Sequence, residues 1–337
     1  MRSFKTSLRS SLSLVLLATG ACGPSLGGAP PPPRSPTGAG CDDSATSQFV
    51  ANKLTLPSLT RSYAGDMDGD GSTDNRFHTL FAGLQTVGFD TQTMVNNMAT
   101  NGRGMTLMEM RGSAQREGCA ATMRMQAAEH PPAPPRYDGR DTFTPRPGSP
   151  AVSLSGSVSN GVLGTTSPTK MQASEVTPLR IQVTLVEGVT VPLDLYGVEV
   201  QGALSDSGAM EGEVHAVLRK QDIDEQVIPA MAQALTAKVN KEPTGAVAQS
   251  IVAFFEDTED SATSKAKCDA DPARCCAMNP ATCELSAEEL RENAMLMGYL
   301  EPDVQMFDNG SWKPTPGGTA KDSLSVGFGL SAVQASF

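Results

Sequence analysis

Between residues 152 and 218 apolar side chains recur at every second position, and no other feature of this 337-residue chain limits its architecture as strongly. The runs are Val152/Leu154, Leu179/Ile181/Val183/Leu185, Leu193/Leu195, Val198/Val200 and Val214/Ala216/Leu218. A period of two gathers one set of side chains on one face of a pleated strand, so each run reads as a half-buried strand. Ser-Gly at 155–156 and Asp-Ser-Gly at 206–208 are turn formers, which favours antiparallel neighbours. Residues 104–110 and 120–127 read as two earlier strands, with Met108/Met110 and Met123/Met125 as same-face pairs. Methionine at such positions is adaptable core filler rather than a soft-metal site. Leu324, Val326, Phe328 and Leu330 make a closing strand that runs toward Phe337.

Helical spacing appears in two places. Phe77, Leu80, Phe81, Leu84 and Val87 mark a helix with Asp74 or Asn75 as N-cap and Gly88 as its stop. Phe89 and Met94 straddle Asp90 as a hydrophobic staple for a second helix, which carries Val95 and Met98 and ends near Gly102. Later, Val227/Ile228/Met231/Leu235 and Val247/Ile251/Phe254/Phe255 mark two more helices, with Pro229 near the start of the first. Ser286-Ala-Glu-Glu289 is a capping box with Leu285 and Leu290 as its staple, opening a helix expected to stop at Gly298. The expected fold is therefore α+β: a β-rich antiparallel sandwich or open barrel, a short N-terminal helical hairpin, and a C-terminal helical, disulfide-stapled segment.

The N-terminus sets the compartment. Arg2, Lys5 and Arg9 precede a short apolar run, Leu12 to Ala18, too short to cross a bilayer and suited to a secretory signal. It ends in Thr19-Gly20-Ala21-Cys22, which resembles the lipobox of bacterial lipoproteins, with Thr19 where Leu is usual. The resemblance implies acylation of Cys22, a membrane partner reached through that lipid, and an outer-membrane or cell-surface address. Cleavage after Ala21 removes three cations and no acids, taking the net charge from −11 to −14. Residues 23–40 hold six Pro and five Gly and read as a spacer that reaches about 50 Å when extended. With 26 basic against 37 acidic residues, nucleic acid is excluded as a partner class.

An exported chain keeps cysteines oxidised. Beyond Cys22 six remain: Cys41, Cys119, Cys268, Cys275, Cys276 and Cys283. Adjacent Cys275 and Cys276 join each other only with strain, so each is expected to pair with Cys268 or Cys283, leaving Cys41 for Cys119. A zinc site from the last four thiolates is the weaker reading, because tight zinc sites use closely spaced ligand pairs.

One loop carries specific chemistry. Residues 66–74 spell D-x-D-x-D-G-x-x-D, with Asp66, Asp68, Asp70 and Asp74 as carboxylate donors and the carbonyl near Ser72 as a further oxygen. Hard oxygen ligands in that number suit Ca²⁺, and Gly71 permits the sharp turn. Four acids so close repel one another unless a cation joins them. The motif resembles the calcium loops of dockerins, thrombospondin type 3 repeats and EF-hands. It departs from the EF-hand at the twelfth position, where Phe77 replaces the bidentate Glu. The resemblance implies a structural Ca²⁺, not an activity.

Other features read as ordinary surface. His78, His130 and His215 are scattered, with His215 a solvent-face strand residue, and neither HExxH nor GxSxG occurs. Asp222, Asp224 and Glu225 sit at a helix start, where acids are favoured anyway, and 256–260 reads as a solvated acidic run. The organisation expected is a signal peptide at 1–21, a tether at 22–40, and the calcium loop, hairpin and first strands at 41–129. A Pro-rich loop at 130–150, a β module at 151–220, helices with the cysteine cluster at 221–300 and a closing segment at 301–337 follow. The expected function is a secreted envelope lipoprotein acting as a non-enzymatic, calcium-stabilised binding or structural module for an unidentified surface ligand or protein. The alternatives are an extracellular hydrolase using carboxylates and a periplasmic carrier of apolar ligands.

Overall fold

The computed structural model describes residues 45–337 apart from 87–89, 113–118, 160–161, 167–176, 187–188, 206–208 and 257–260. The signal peptide, Cys22, the tether, Cys41, Val87, Gly88, Phe89, the 206–208 turn and the side chains of Leu84 and Leu185 lie outside the described residues.

The body is built on antiparallel strands: β1 (Thr46–Thr55), β2 (Thr106–Arg111), β3 (Ala120–Ala127), β4 (Val152–Ser159), β5 (Val162–Thr166), β6 (Leu179–Val186), β7 (Val189–Leu204), β8 (Met210–Arg219), the small hairpin β9 (Phe307–Asp308) and β10 (Ser311–Trp312), and β11 (Ser323–Gln334). The large sheet runs β5-β4-β3-β2-β1-β11-β8-β7-β6. Its two ends meet, because β5 also pairs with β7 through Val162↔Ala203, Leu163↔Gly202 and Gly164↔Gln201. Eight strands thus close into an antiparallel barrel, and β6 pairs with the first half of β7 as a flap. Closure leaves those eight strands without a free edge.

The alternation seen in the sequence becomes the barrel interior. Met108 lies opposite Met125 and Met110 opposite Met123, all at most 2% exposed, and they share one core with Phe49, Leu154, Leu163, Val214 and Phe328. In β7 the inward residues step from Leu193 and Leu195 to Val198 and Val200, and a bulge between Tyr196 and Glu199 absorbs the slip of one residue. β1 carries a second bulge, between Ala51 and Lys53, and is buried on both faces. Phe49 points inward, whereas Val50 joins Leu107, Ala128 and Phe143 in an outer cluster. Residues 130–150 lie over that outer cluster as a loop, tied by Tyr137, whose hydroxyl donates to the Ala99 carbonyl.

The helical hairpin is α1 (Arg76–Thr86) and α2 (Thr91–Thr100). Asp90 caps α2 by accepting from the Thr93 N–H, and Gly102 follows its end in the left-handed region. After β8 come α3 (Lys220–Asp222), a π-helical turn at Ile223–Val227, and α4 (Ile228–Lys241). The wide turn ends two residues before Pro229, which has no N–H to continue the regular ladder. α5 (Ala246–Phe255) and α6 (Ala262–Ala270) lead to the cysteine cluster, where Cys268 pairs with Cys275 and Cys276 with Cys283. The Ser286/Glu289 capping box opens α7 (Ala287–Glu292), but the helix does not run unbroken to Gly298 as expected. Asn293 interrupts it: its Oδ1 caps the new helix α8 (Ala294–Tyr299), and its Nδ2 donates to the Phe254 carbonyl. Among the described residues, no helix is long and apolar enough to cross a membrane.

Candidate metal centre

The acidic loop is mounted on the outside of the barrel. Its ends are zipped by two backbone bonds, Asp74 N–H to Gly65 C=O at 2.7 Å and the reciprocal bond at 3.2 Å. Met67 anchors it, buried with Tyr196, Val217, Val304, Met306 and Trp312 over the outer face of β7 and β8. Asp68, only 4% exposed, accepts from the Gly317 N–H at 3.3 Å, and the Lys321 ammonium stands 3.7 Å away. At the exit, Asn75 Oδ1 accepts from the His78 N–H that begins α1 and from the Gly327 N–H of β11. One side chain therefore caps the helix and fixes the loop to the wall. Gly69 and Gly71 take φ of +81° and +89°, a region that side chains with a Cβ avoid.

Within this frame, a carboxylate oxygen from each of Asp66, Asp68 and Asp74 lies within 4.8 Å of the others. The loop's own amides hold them. Asp66 accepts from Gly69 N–H at 2.8 Å and Gly71 N–H at 3.0 Å, and Asp74 accepts from Met67 N–H at 3.3 Å. Asp70 instead accepts from the Ser72 N–H at 2.7 Å and does not join that trio, and both residues are exposed. Phe77 is buried in the barrel core.

The electrostatics are unbalanced. Burial pushes the Asp74 carboxyl up to about 6, and the charges of Asp303, Asp68 and Asp70 add to that against the Met67 N–H. Asp303, raised mainly by burial, accepts from the Ser325 N–H at 2.7 Å and from the Ser325 hydroxyl. Sequence reasoning missed Asp303 and Lys321, both brought in from the far end of the chain with no motif around them. Both shifts come chiefly from burial, to which the neighbouring acids add at Asp74 while Arg76 opposes it at Asp303; a hard divalent cation would favour the charged form of Asp74.

The remaining candidates are structural. Asp222 is bidentate to Arg219 at 3.0 and 3.2 Å, Asp224 meets Lys220 at 2.6 Å, and Glu225 accepts from Gln221, so they form no facing acid pair. Glu256 corrects the reading of a solvated run: it is buried, its Oε1 is 2.6 Å from Lys267 Nζ, and its other oxygen accepts from the Ala277 N–H. Glu256 also converges with Cys268 and Cys275, but those sulfurs are bonded to each other and offer no thiolate. Cys119 is disulfide-bonded as well. His215 is on the outer face of β8, as its position implied, yet it is covered rather than solvated, its ring lying against Gly65. Compared with known protein families, characterised proteins and solved structures, the chain has no match.

Proposed function

We propose that the chain is a calcium-stabilised, non-enzymatic binding or structural module, exported and held at the cell envelope by lipid on Cys22. The convergence of Asp66, Asp68 and Asp74 on the barrel wall carries this reading. A cation there would tie the start of α1, the Met67 cluster and the 313–321 loop to one point, stiffening the outer wall. Calcium suits the site better than magnesium, because an irregular set of carboxylate and carbonyl oxygens meets its flexible coordination.

The packed interior argues against a carrier that swallows an apolar ligand. Met108, Met110, Met123 and Met125 fill the barrel, and the apolar pocket beside α2 offers only about 20 Å³. Asp222 and Asp224, each paired with its own cation, argue against a hydrolase built on that stretch as facing carboxylates.

Thermal melting tests the reading. EGTA should lower the Tm of the wild-type protein, added calcium should restore it, and Asp68→Asn should shrink that difference severalfold. A wild-type melt unchanged by chelator would overturn the calcium assignment.

A further inference from the structure

We propose that the barrel mouth beside α2 binds a small organic anion: a carboxylate or phosphate head carrying a short apolar substituent. A half-open cavity of about 190 Å³ lies there, lined by Met98, Arg103, Gly104, His130, Arg146 and Gln182. No carboxylate lines it. In a chain with 37 acidic and 26 basic residues, arginines such as Arg180, Arg219 and Arg274 are matched by Asp194, Asp222 and Glu284, whereas this cavity gathers two that are not. Among the described residues Arg103 has no acidic partner, and the Arg146 guanidinium meets only the neutral Gln182 Oε1, at 3.3 Å.

Three separate segments deliver the nitrogen donors. Arg103 follows the end of α2, His130 follows β3, and Arg146 comes from the loop over the outer wall. A cation after a helix C-terminus is expected from the helix dipole alone, which accounts for Arg103 but not for Arg146 or His130. Two guanidinium groups able to make paired N–H bonds suit planar carboxylate and phosphate oxygens. His130 Nδ1 lies 3.1 Å from the Gly102 carbonyl, which fixes the ring at the rim.

The apolar part of the ligand follows from the neighbouring pocket. It shares Met98, Arg103, Gly104 and Gln182 with the cationic cavity and continues to Val95, Ile181 and Phe328. At about 20 Å³ it accepts the tip of a chain and no more. The site shares no residue with the acidic loop. It deepens the reading of the barrel as a binding module and rests on that reading, while the calcium assignment is tested separately by the melts in chelator.

Calorimetric titration of the full chain in millimolar calcium tests the proposal, with sodium octanoate, dihexanoyl phosphatidic acid below its micelle concentration, and octanol. At least one anion should bind and octanol should not. Preference for octanoate assigns a free carboxylate, and preference for phosphatidic acid a lipid phosphate; either supports the site. The double variant Arg103→Gln/Arg146→Gln should weaken the preferred anion at least tenfold, and Arg103→Lys/Arg146→Lys should recover part of that loss. Arg124→Gln, outside the cavity, should change nothing. Binding of neither anion, octanol binding as tightly as octanoate, or a glutamine double variant within about twofold of wild type would each overturn the proposal.

Discussion

His215 shows how a single side chain ties the acidic loop's mount to solution conditions. Its ring packs on Gly65, the residue before Asp66, and its Nε2 lies 3.6 Å from Glu213, itself paired with Arg61 at 3.1 Å. Burial holds the imidazole below its ordinary value of 6.5, and this outweighs the opposite pull of Glu213. The unfolded chain therefore takes up a proton near pH 6.5 that the folded one resists, and stability falls as pH drops through that range. Asp74 works in the opposite sense without a cation. Its folded value near 6 exceeds its ordinary one, so acid favours the fold in that window. Only a difference between variants separates the two. The Tm of wild type minus that of His215→Gln should become more negative between about pH 7 and pH 5. Parallel pH profiles would show that His215 carries no such cost.

At the scale of elements, the C-terminal helices are held by a buried ionic knot as much as by their disulfides. Lys267 of α6 places Nζ 2.6 Å from Glu256 and 2.8 Å from Glu289, two carboxylates whose side chains have no exposed surface. Glu289 also accepts from the Ser286 N–H and the Ser264 hydroxyl, so the capping box of α7 and the packing of α6 share one carboxylate. Removing the lysine strands two buried negative charges, at a cost of about 3–5 kcal/mol. Lys267→Met should lower the Tm by at least about 5 °C, and an unchanged melt would show the charges relaxing into solvent. Nothing in the sequence announced this knot. Glu256 opens an acidic run that looks solvated, and α6 has too few apolar residues for helical spacing to show. The capping box was legible because its signal spans four residues, and β4 and β6 because each buries one face; β8 kept its period in Val214, Ala216 and Leu218 although His215 and Val217 are covered on its other face. β1 was not: with both faces covered and a bulge after Ala51, its apolar pattern has no period. The candidate metal loop was legible for the same local reason as the capping box, whereas Asp303, Lys321 and the Arg103–His130–Arg146 cluster exist only once distant segments meet.

At the scale of the whole molecule, the barrel interleaves the two ends of the described chain. β1 and β11 are neighbours through six paired positions, and β5 reaches β7 across the flap to complete the ring. Alternation showed that a sheet would form, but closure depends on pairings far apart in sequence, which periodicity does not encode. The helices inserted between β8 and β11 contribute to the same core as the strands, with Ile228, Met231 and Leu235 joining Leu193, Leu195 and Leu324. No subset of strands can then bury its inner face alone, so folding should be cooperative across the whole unit. The single tryptophan makes this testable. Trp312 sits outside the barrel in the Met67 cluster, whereas far-UV circular dichroism reports the strands and helices together. In saturating calcium, Trp312 emission and the dichroism signal should trace one transition with a common midpoint. If Trp312 is released at a clearly lower temperature, the outer wall and its acidic loop are a separate cooperative unit, and a cation bound there could not stiffen the barrel.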